Sequence, residues 1–213
     1  MKGKLTGIVL GSHTTASGAT VVKLAGLTPN GKHDVTWMHS VTFGQALSVA
    51  APPTGSAVMI DCVAVHHTFT GRAGDRAGRV VVLGVRLSTA AGKVVQKGRV
   101  AFLKDAVNEF TFAGFLPHTP VCRPQIGVTG ARVGVRDRHG KNHYFQLEAW
   151  RVSGDFLARK RVGAEIEVRC ILRTDRLDGQ DGGAPRTFDV MEVQAARDVQ
   201  LPTVTAAVAQ AAD

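Results

Sequence analysis

Apolar and polar positions alternate along this chain in short runs, each broken by glycine, proline or asparagine, a pattern that predicts β-strands joined by turns. Five runs come first: Lys2–Leu10, Ala19–Leu27, Val35–Phe43, Ala57–His66 and Gly78–Leu87. The turn Gly11–Gly18 separates the first two, and Thr28–Asp34, with its Asn30-Gly31 pair, separates the next two. Gly44–Val49 reads as a short helix or turn, which Pro52 and Pro53 end. The polar, glycine-rich segment Thr70–Gly78 reads as a mobile basic hairpin tip. Ala90–Gly98 is either a further small hairpin or the connection between two domains.

The pattern then repeats. Runs Glu109–Leu116, Gly130–Arg136, Asn142–Trp150, Ala164–Arg173 and Arg186–Val193 are again strand-like. Pro117 and Pro120 end the first of them, since neither can donate to a ladder. Asp137–Gly140 is a hairpin turn, Gly154–Lys160 a short helix that Ser153 could cap, and Leu177–Pro185 a second glycine-rich hairpin. Trp37 precedes Tyr144 by 107 residues and Phe43 precedes Trp150 by the same distance. Gly55 and Cys62 precede Gly163 and Cys170 by 108. A duplication with one inserted residue accounts for both spacings.

Five strands with a short helix between the third and fourth is the layout of the OB-fold, a five-stranded Greek-key barrel. The expected architecture is therefore all-β: two tandem OB-folds, residues 1–105 and 106–198, and a loose tail over 199–213. The alanine- and threonine-rich composition of that last segment motivates the tail.

Charge changes the picture next. The chain has 213 residues and a formal net charge of +9, which suits a polyanionic partner. Residues 1–107 hold twelve basic and four acidic side chains, whereas residues 108–213 hold fourteen and thirteen. Phosphate attraction is thus expected mainly in the first half. Lysine and arginine at hairpins and strand ends give salt-sensitive, sequence-tolerant contacts. The candidates are Lys23, Lys32, Arg72, Arg76, Arg79 and Arg86 in the first copy. In the second they are Arg132, Arg136, Arg138, Lys141, Arg151, Arg173 and Arg176.

Aromatic residues supply the second half of a binding chemistry. On Asn142–Trp150, period two puts Tyr144, Gln146, Glu148 and Trp150 on one face and Phe145, Leu147 and Ala149 on the other. The second set reads as core, and the first puts two rings beside polar groups, as base stacking needs. By the repeat spacing, Trp37, His39, Val41 and Phe43 form the corresponding face, with Met38, Ser40 and Thr42 opposite. Phe43 and Trp150 also fit as core anchors. Phe69, at the mouth of the basic hairpin, is a fifth candidate ring.

Catalytic chemistry finds little support. His66 and His67 are adjacent in a strand and face opposite sides, so they do not share a metal, and His139, His143 and Asp137 merely flank a turn. There is no phosphate-binding glycine loop and no HExxH pair. Neither a metal, a cofactor nor an enzymatic activity is expected. Cys62, Cys122 and Cys170 lack CxxC spacing and read as buried, reduced thiols. No apolar run is long enough to span a bilayer and no signal-peptide pattern begins the chain, so a cytoplasmic, nucleoid-associated location is expected.

The second copy resembles the bacterial single-stranded DNA-binding protein family. Asn108–Gly114 (NEFTFAG), with Pro120 and Arg123 after it, is similar to that family's opening strand. His143–Trp150 (HYFQLEAW) resembles its third strand, and Arg159–Gly163 (RKRVG) the turn before the fourth. Arg173-Thr174 followed by Asp178-Gly179 resembles the last hairpin. The resemblance implies stacking roles for Tyr144 and Trp150. Leu177 stands where the family often has a tryptophan, and Phe69 holds that place in the first copy, which keeps Phe43-Gly44-Gln45 and the spacing. The acidic, hydrophobic tip that recruits partners in the family has no counterpart in Leu201–Asp213. By the same analogy, two tandem-barrel chains pair as a homodimer, or a higher homo-oligomer, to present four barrels. The implied function is sequence-tolerant binding of single-stranded DNA during replication, recombination or repair. One alternative is an interaction or recombination-mediator module with one DNA-binding and one protein-binding barrel. The other is single-stranded RNA binding.

Overall fold

The computed structural model describes residues 1–31, 33–70, 76–177 and 186–199. Among these residues, thirteen strands form one hydrogen-bonded sheet system that curls into two closed rings. The first ring uses β1 (Lys2–Thr14), β2 (Thr20–Asn30), β3 (His33–Phe43), β4 (Ala57–Thr70) and β5 (Arg76–Thr89). Pairings run β1–β2–β3–β5–β4 and back to β1, all antiparallel except the parallel β3–β5 closure. A hairpin of β6 (Val94–Lys97) and β7 (Val100–Leu103) comes next, with β7 laid beside β2. The second ring repeats the circuit with β8 (Asn108–Phe115), β10 (Val128–Arg136), β11 (Asn142–Trp150), β12 (Glu165–Leu177) and β13 (Arg186–Asp198). Its parallel closure joins β11 to β13. The short strand β9 (Val121–Arg123), which alternation does not predict, adds an edge beside β10.

Ring two closes where β8 meets β10 at Phe115 and Gly134. Gly114 makes that approach feasible, because a Cβ there would lie 2.5 Å from the Gly134 carbonyl oxygen. Each ring is filled by the inward half of its alternation. Leu5, Ile8, Leu24, Phe43 and Ile60 are fully buried in the first, and Phe145, Leu147, Leu157, Ile166 and Leu172 in the second. Between the third and fourth strands the two rings differ. Ring two has the helix α1 (Arg151–Ala158), which buries Leu157, whereas ring one has a single 3-10 turn, Gln45–Leu47. The helix starts three residues before the expected Gly154, and Ser153 lies within its first turn instead of capping it.

Sheet register corrects the internal alignment of the repeat. A bulge between Asp61 and Cys62 matches one between Arg169 and Cys170, and these cysteines pair with Gly84 and Val193. On the parallel closures, Val82 pairs with Val41 while Met191 pairs with Leu147. Strand three is therefore offset by 106 residues (41 to 147) rather than the 107 read from its aromatics. One residue of slip exchanges the two faces of a strand. Trp37 and Phe43 thus correspond to the inward His143 and Ala149, and Tyr144 and Trp150 correspond to Met38 and Gly44.

The rings meet edge to edge through β1 and β8, from Lys2↔Thr111 to Leu5↔Asn108. Beyond those strands the joint is polar. His39 Nε2 and Asn108 Nδ2 both donate to the Leu172 carbonyl, at 2.9 and 2.8 Å, and the Leu172 amide donates back to Asn108 Oδ1 at 3.1 Å. The 3.4 Å approach of His39 Nε2 to Asn108 Nδ2 is that of two donors sharing one acceptor. Burial holds the His39 pKa below its ordinary 6.5, against the opposing pull of the Leu172 carbonyl and the Asp189 charge. His66 is lowered as well, by burial first and then by Arg132, His143 and His67. Between a depressed folded pKa and 6.5 the unfolded chain binds more protons, so stability falls as pH drops below 6.5. His39→Gln is expected to flatten that loss. Denaturant midpoints at about pH 7.5 and 5.5 check it, and an undiminished difference between them in the variant contradicts it.

Of the three cysteines, Cys62 and Cys170 are buried as expected. Burial, then the Asp61 charge, pushes the Cys62 thiol up to about 12, and burial raises Cys170 likewise, so both stay protonated and inert. Cys122 is exposed, because it lies on the short edge strand β9 and not in either core.

Candidate nucleic-acid interface

Two aromatic-cation pairs stand on the surface, one on each ring. In ring two, Tyr144 of β11 is half-buried and faces outward, opposite the buried Phe145. The Arg132 guanidinium, from neighbouring β10, lies 4.7 Å from the Tyr144 ring centre. Phe115 meets the same ring edge-on, with centroids 6.5 Å apart. Tyr144 and Arg132 together offer a flat, positively charged surface on which a base can stack beside its phosphate. Phe115 was not among the sequence candidates. It occupies an outward position on β8, since Phe110 and Phe112 take the inward ones, so alternation alone could have found it.

In ring one, the β4–β5 ladder pairs His67 with Arg79 and Phe69 with Ala77. Phe69 is 42% exposed, stacks on His67 at 6.4 Å and lies 5.9 Å from the Arg79 guanidinium. His66 lies on the opposite face of β4 and feels both Arg132 and His143 across the joint. Arg132 of ring two thus lies close to the hairpin that carries Phe69 and Arg79.

Trp150 is 41% exposed at the end of β11. It lines a cleft of about 730 Å³ between the Asn30-Gly31 turn of ring one and the α1 and β13 elements of ring two. Of the two arginines lining this cleft, Arg151 is exposed and forms no ion pair with another described residue, whereas Arg173 is neutralised. Arg173, expected as a phosphate contact, is held by Asp175 at 2.6 Å, Glu192 at 2.6 Å and Glu148 at 2.8 Å. Asn30 Nδ2 adds a 2.7 Å bond to Glu192 Oε1. One cation among three carboxylates leaves the cluster negative, which removes Arg173 from the candidate phosphate contacts. Asp175 stands two residues from Arg173, but Glu148 and Glu192 are distant in sequence, so only the folded register of β11, β12 and β13 completes the cage.

Two candidate rings are corrected outright. Trp37 is 3% exposed; its Nε1 donates to Thr28 Oγ1 at 2.8 Å and its ring stacks on buried His39. Phe43 is 0% exposed. Neither presents a face to a base, because the shifted register turns their side of β3 inward and leaves Met38, Ser40 and Thr42 outside.

Lys23, Arg79, Arg132, Arg136, Lys141 and Arg151 are exposed and form no ion pair with another described residue. Lys23 and Arg132 pair with Ser40 and Gln146, the same rung of the two β-ribbons once the offset of 106 is applied. Arg86 is tied to Asp61 at 2.6 Å on an open surface, a pairing that water and salt weaken. Arg138 is exposed and donates from Nε to His139 Nε2 at 3.0 Å. Lys32 and Arg72 lie outside the described residues, as do the side chains of Arg76 and Arg176 and the tail from residue 200. Among the described residues, no cluster of three or more potential metal ligands occurs.

No protein-family model matches the chain, and no curated protein matches it in sequence. Solved structures do. The wild-type single-stranded DNA binding protein from Thermus aquaticus aligns with a TM-score of 0.68 at 19% identity, over 99% of this chain and 96% of that one. A deletion mutant of that protein aligns with a TM-score of 0.67 at 18% identity, over 94% of both chains. The small single-stranded DNA-binding protein from Streptomyces coelicolor covers 43% of this chain and 93% of its own at 22% identity, with a TM-score of 0.36. Along nearly its whole length, the chain shares its all-β fold with the Thermus aquaticus protein.

Proposed function

We propose that the chain binds single-stranded DNA with little sequence preference, through two tandem OB-fold barrels, residues 1–105 and 106–198. The observation that carries this reading is the matched surface chemistry of Tyr144 with Arg132 and Phe69 with Arg79. Each couples a stacking ring to a cation, the combination that holds bases and phosphates without reading base edges. The shared fold with a protein named for single-stranded DNA binding supports the same conclusion. Lys23, Arg136, Arg138, Lys141 and Arg151 extend the phosphate-neutralising surface. Binding needs no cofactor and no turnover.

The reading extends to a cellular role: coating transient single strands in replication, recombination or repair, in the cytoplasm, as a homodimer presenting four barrels. Light scattering of the purified chain tests the dimer.

The test of binding is a tryptophan-fluorescence titration with a thymidine oligonucleotide of about 35 nucleotides, long enough to cross both barrels. Run at about 50 and 200 mM salt, it should show tight binding that weakens steeply as counterion release loses its drive. The chain has two tryptophans, one buried and one exposed, so they can be told apart. Quenching is expected to survive Trp37→Phe and to shrink in Trp150→Phe. No quenching, together with equal affinity for duplex, would reject the proposal. The uridine oligonucleotide of equal length separates DNA from RNA preference. Full quenching in Trp150→Phe would remove Trp150 from the contact surface.

A further inference from the structure

Among the described residues, the β4–β5 hairpin, which carries Phe69 and Arg79, is held by ring two at a single rung. His66 and Val80 face each other on that rung. The Val80 amide donates to Asp189 Oδ2 at 3.1 Å, and the His66 amide donates to His143 Nδ1 at 3.3 Å. Both acceptors belong to ring two, on β13 and β11. Each is itself oriented. Thr174 Oγ1 donates to Asp189 Oδ1 at 2.8 Å, and His143 Nε2 lies 3.1 Å from Asp137 Oδ2. The Asp137 carboxylate accepts from Nε2–H, the tautomer in which Nδ1 keeps its lone pair to accept from the His66 amide. Asp137 in turn is fixed by the amides of His139 and Lys141, at 2.8 and 2.9 Å.

This rung lies one residue below the His67–Arg79 pair and three below Phe69. His143 immediately precedes Tyr144 on β11. His143 thus ties the hairpin to the strand that carries Tyr144, and Asp189 ties it to β13. The edge-to-edge β1–β8 pairing reaches β4 only through β1, between Ala57 and Cys62, short of the His66–Val80 rung.

Building on the single-strand reading, we infer that Asp189 and His143 are positioning residues: by holding the two amides of the His66–Val80 rung, they fix the ring-one hairpin against ring two. Phe69 with Arg79 and Tyr144 with Arg132 then form one track, crossed by a single strand of nucleic acid. The ties do not touch the ligand. They set how well a strand long enough to reach both pairs engages the second after the first.

The experiment compares Asp189→Ala with Asp189→Asn in the full-length chain, using thymidine oligonucleotides of about 8 and about 35 nucleotides, the shorter within reach of one barrel. Both variants lose the carboxylate charge, but the asparagine keeps an oxygen to accept from Val80, so their difference isolates the hydrogen bond. Asp189→Ala is expected to bind the longer strand about tenfold more weakly than Asp189→Asn, because loosening the hairpin lowers the effective concentration of the second site. The two variants should bind the shorter strand alike. His143→Ala, which frees the opposite amide, should repeat the length dependence and guards against a folding defect peculiar to Asp189→Ala. Equal losses at both lengths would assign the ties a merely structural role and overturn the inference, and so would no loss at either. If the unaltered chain binds neither oligonucleotide, the single-strand reading fails and the track fails with it.

Discussion

Phe43→Ala is expected to lower the free energy of unfolding by about 3–5 kcal/mol, the usual cost of emptying a large aromatic site in a packed core. Phe43 is fully buried at the end of β3, where the parallel closure brings β5 alongside. Gly84 of β5 lies under its ring with no room for a Cβ. Removing the ring leaves a void lined by strands that are already hydrogen-bonded on both sides and cannot collapse inward, so the cavity term should be near its upper range. Denaturant unfolding measures it, with the slope checked to keep the comparison two-state. A loss below about 1 kcal/mol, or a binding defect with stability intact, would return Phe43 to the surface role that its resemblance implies.

Tyr144→Ala should do the reverse. Its ring is half-exposed and packs chiefly against Arg132 and the edge of Phe115, so stability should change little. Binding of a thymidine oligonucleotide should weaken by about 1–3 kcal/mol, roughly five- to 150-fold, the range for removing one stacked base contact. Tyr144→Phe keeps the ring and should retain most of the affinity. Because Arg132 rests on the Tyr144 ring, losing the ring also frees the guanidinium, and Arg132→Ala in the Tyr144→Ala background should cost less than it does alone. Equal affinity for Tyr144→Ala and the unaltered chain would remove the ring-two face from the proposed interface. Opposite signatures from two aromatics on corresponding strands would then trace to a single residue of register.

That register marks the limit of what alternation conveys. Period-two patterning locates β3 and β11 and states which residues share a face, but not which face turns inward. Around Tyr144 the neighbouring Phe145, Leu147 and Ala149 resolve the ambiguity, since three apolar residues in alternation have no other place to go. Around Trp37 both faces carry a mixture: Trp37, His39, Val41 and Phe43 on one, Met38, Ser40 and Thr42 on the other. Aligning the aromatics of the two copies chose the wrong side. The bulges beside Cys62 and Cys170, visible only as breaks in strand pairing, correct it. Phe69 and Arg79 were legible because both flank a glycine-rich, basic stretch of sequence. The cage around Arg173 was legible only in part: Asp175 shares its strand face two residues on, whereas Glu148 and Glu192 arrive from β11 and β13.

The sequence by itself determined the all-β class, ten of the thirteen strands, the twofold repeat and the helical segment after β11. These depend on local periodicity and turn chemistry, which neighbouring residues specify without help from the rest of the chain. Tertiary structure alone decided which face of β3 is core, which arginines remain unpaired, and how His39, His66, His143 and Asp189 tie one ring to the other. Those outcomes depend on charge and hydrogen-bond partners that lie up to 162 residues apart along the chain. Only closure of the rings brings them within 3 Å or so of one another, the distance at which such groups act.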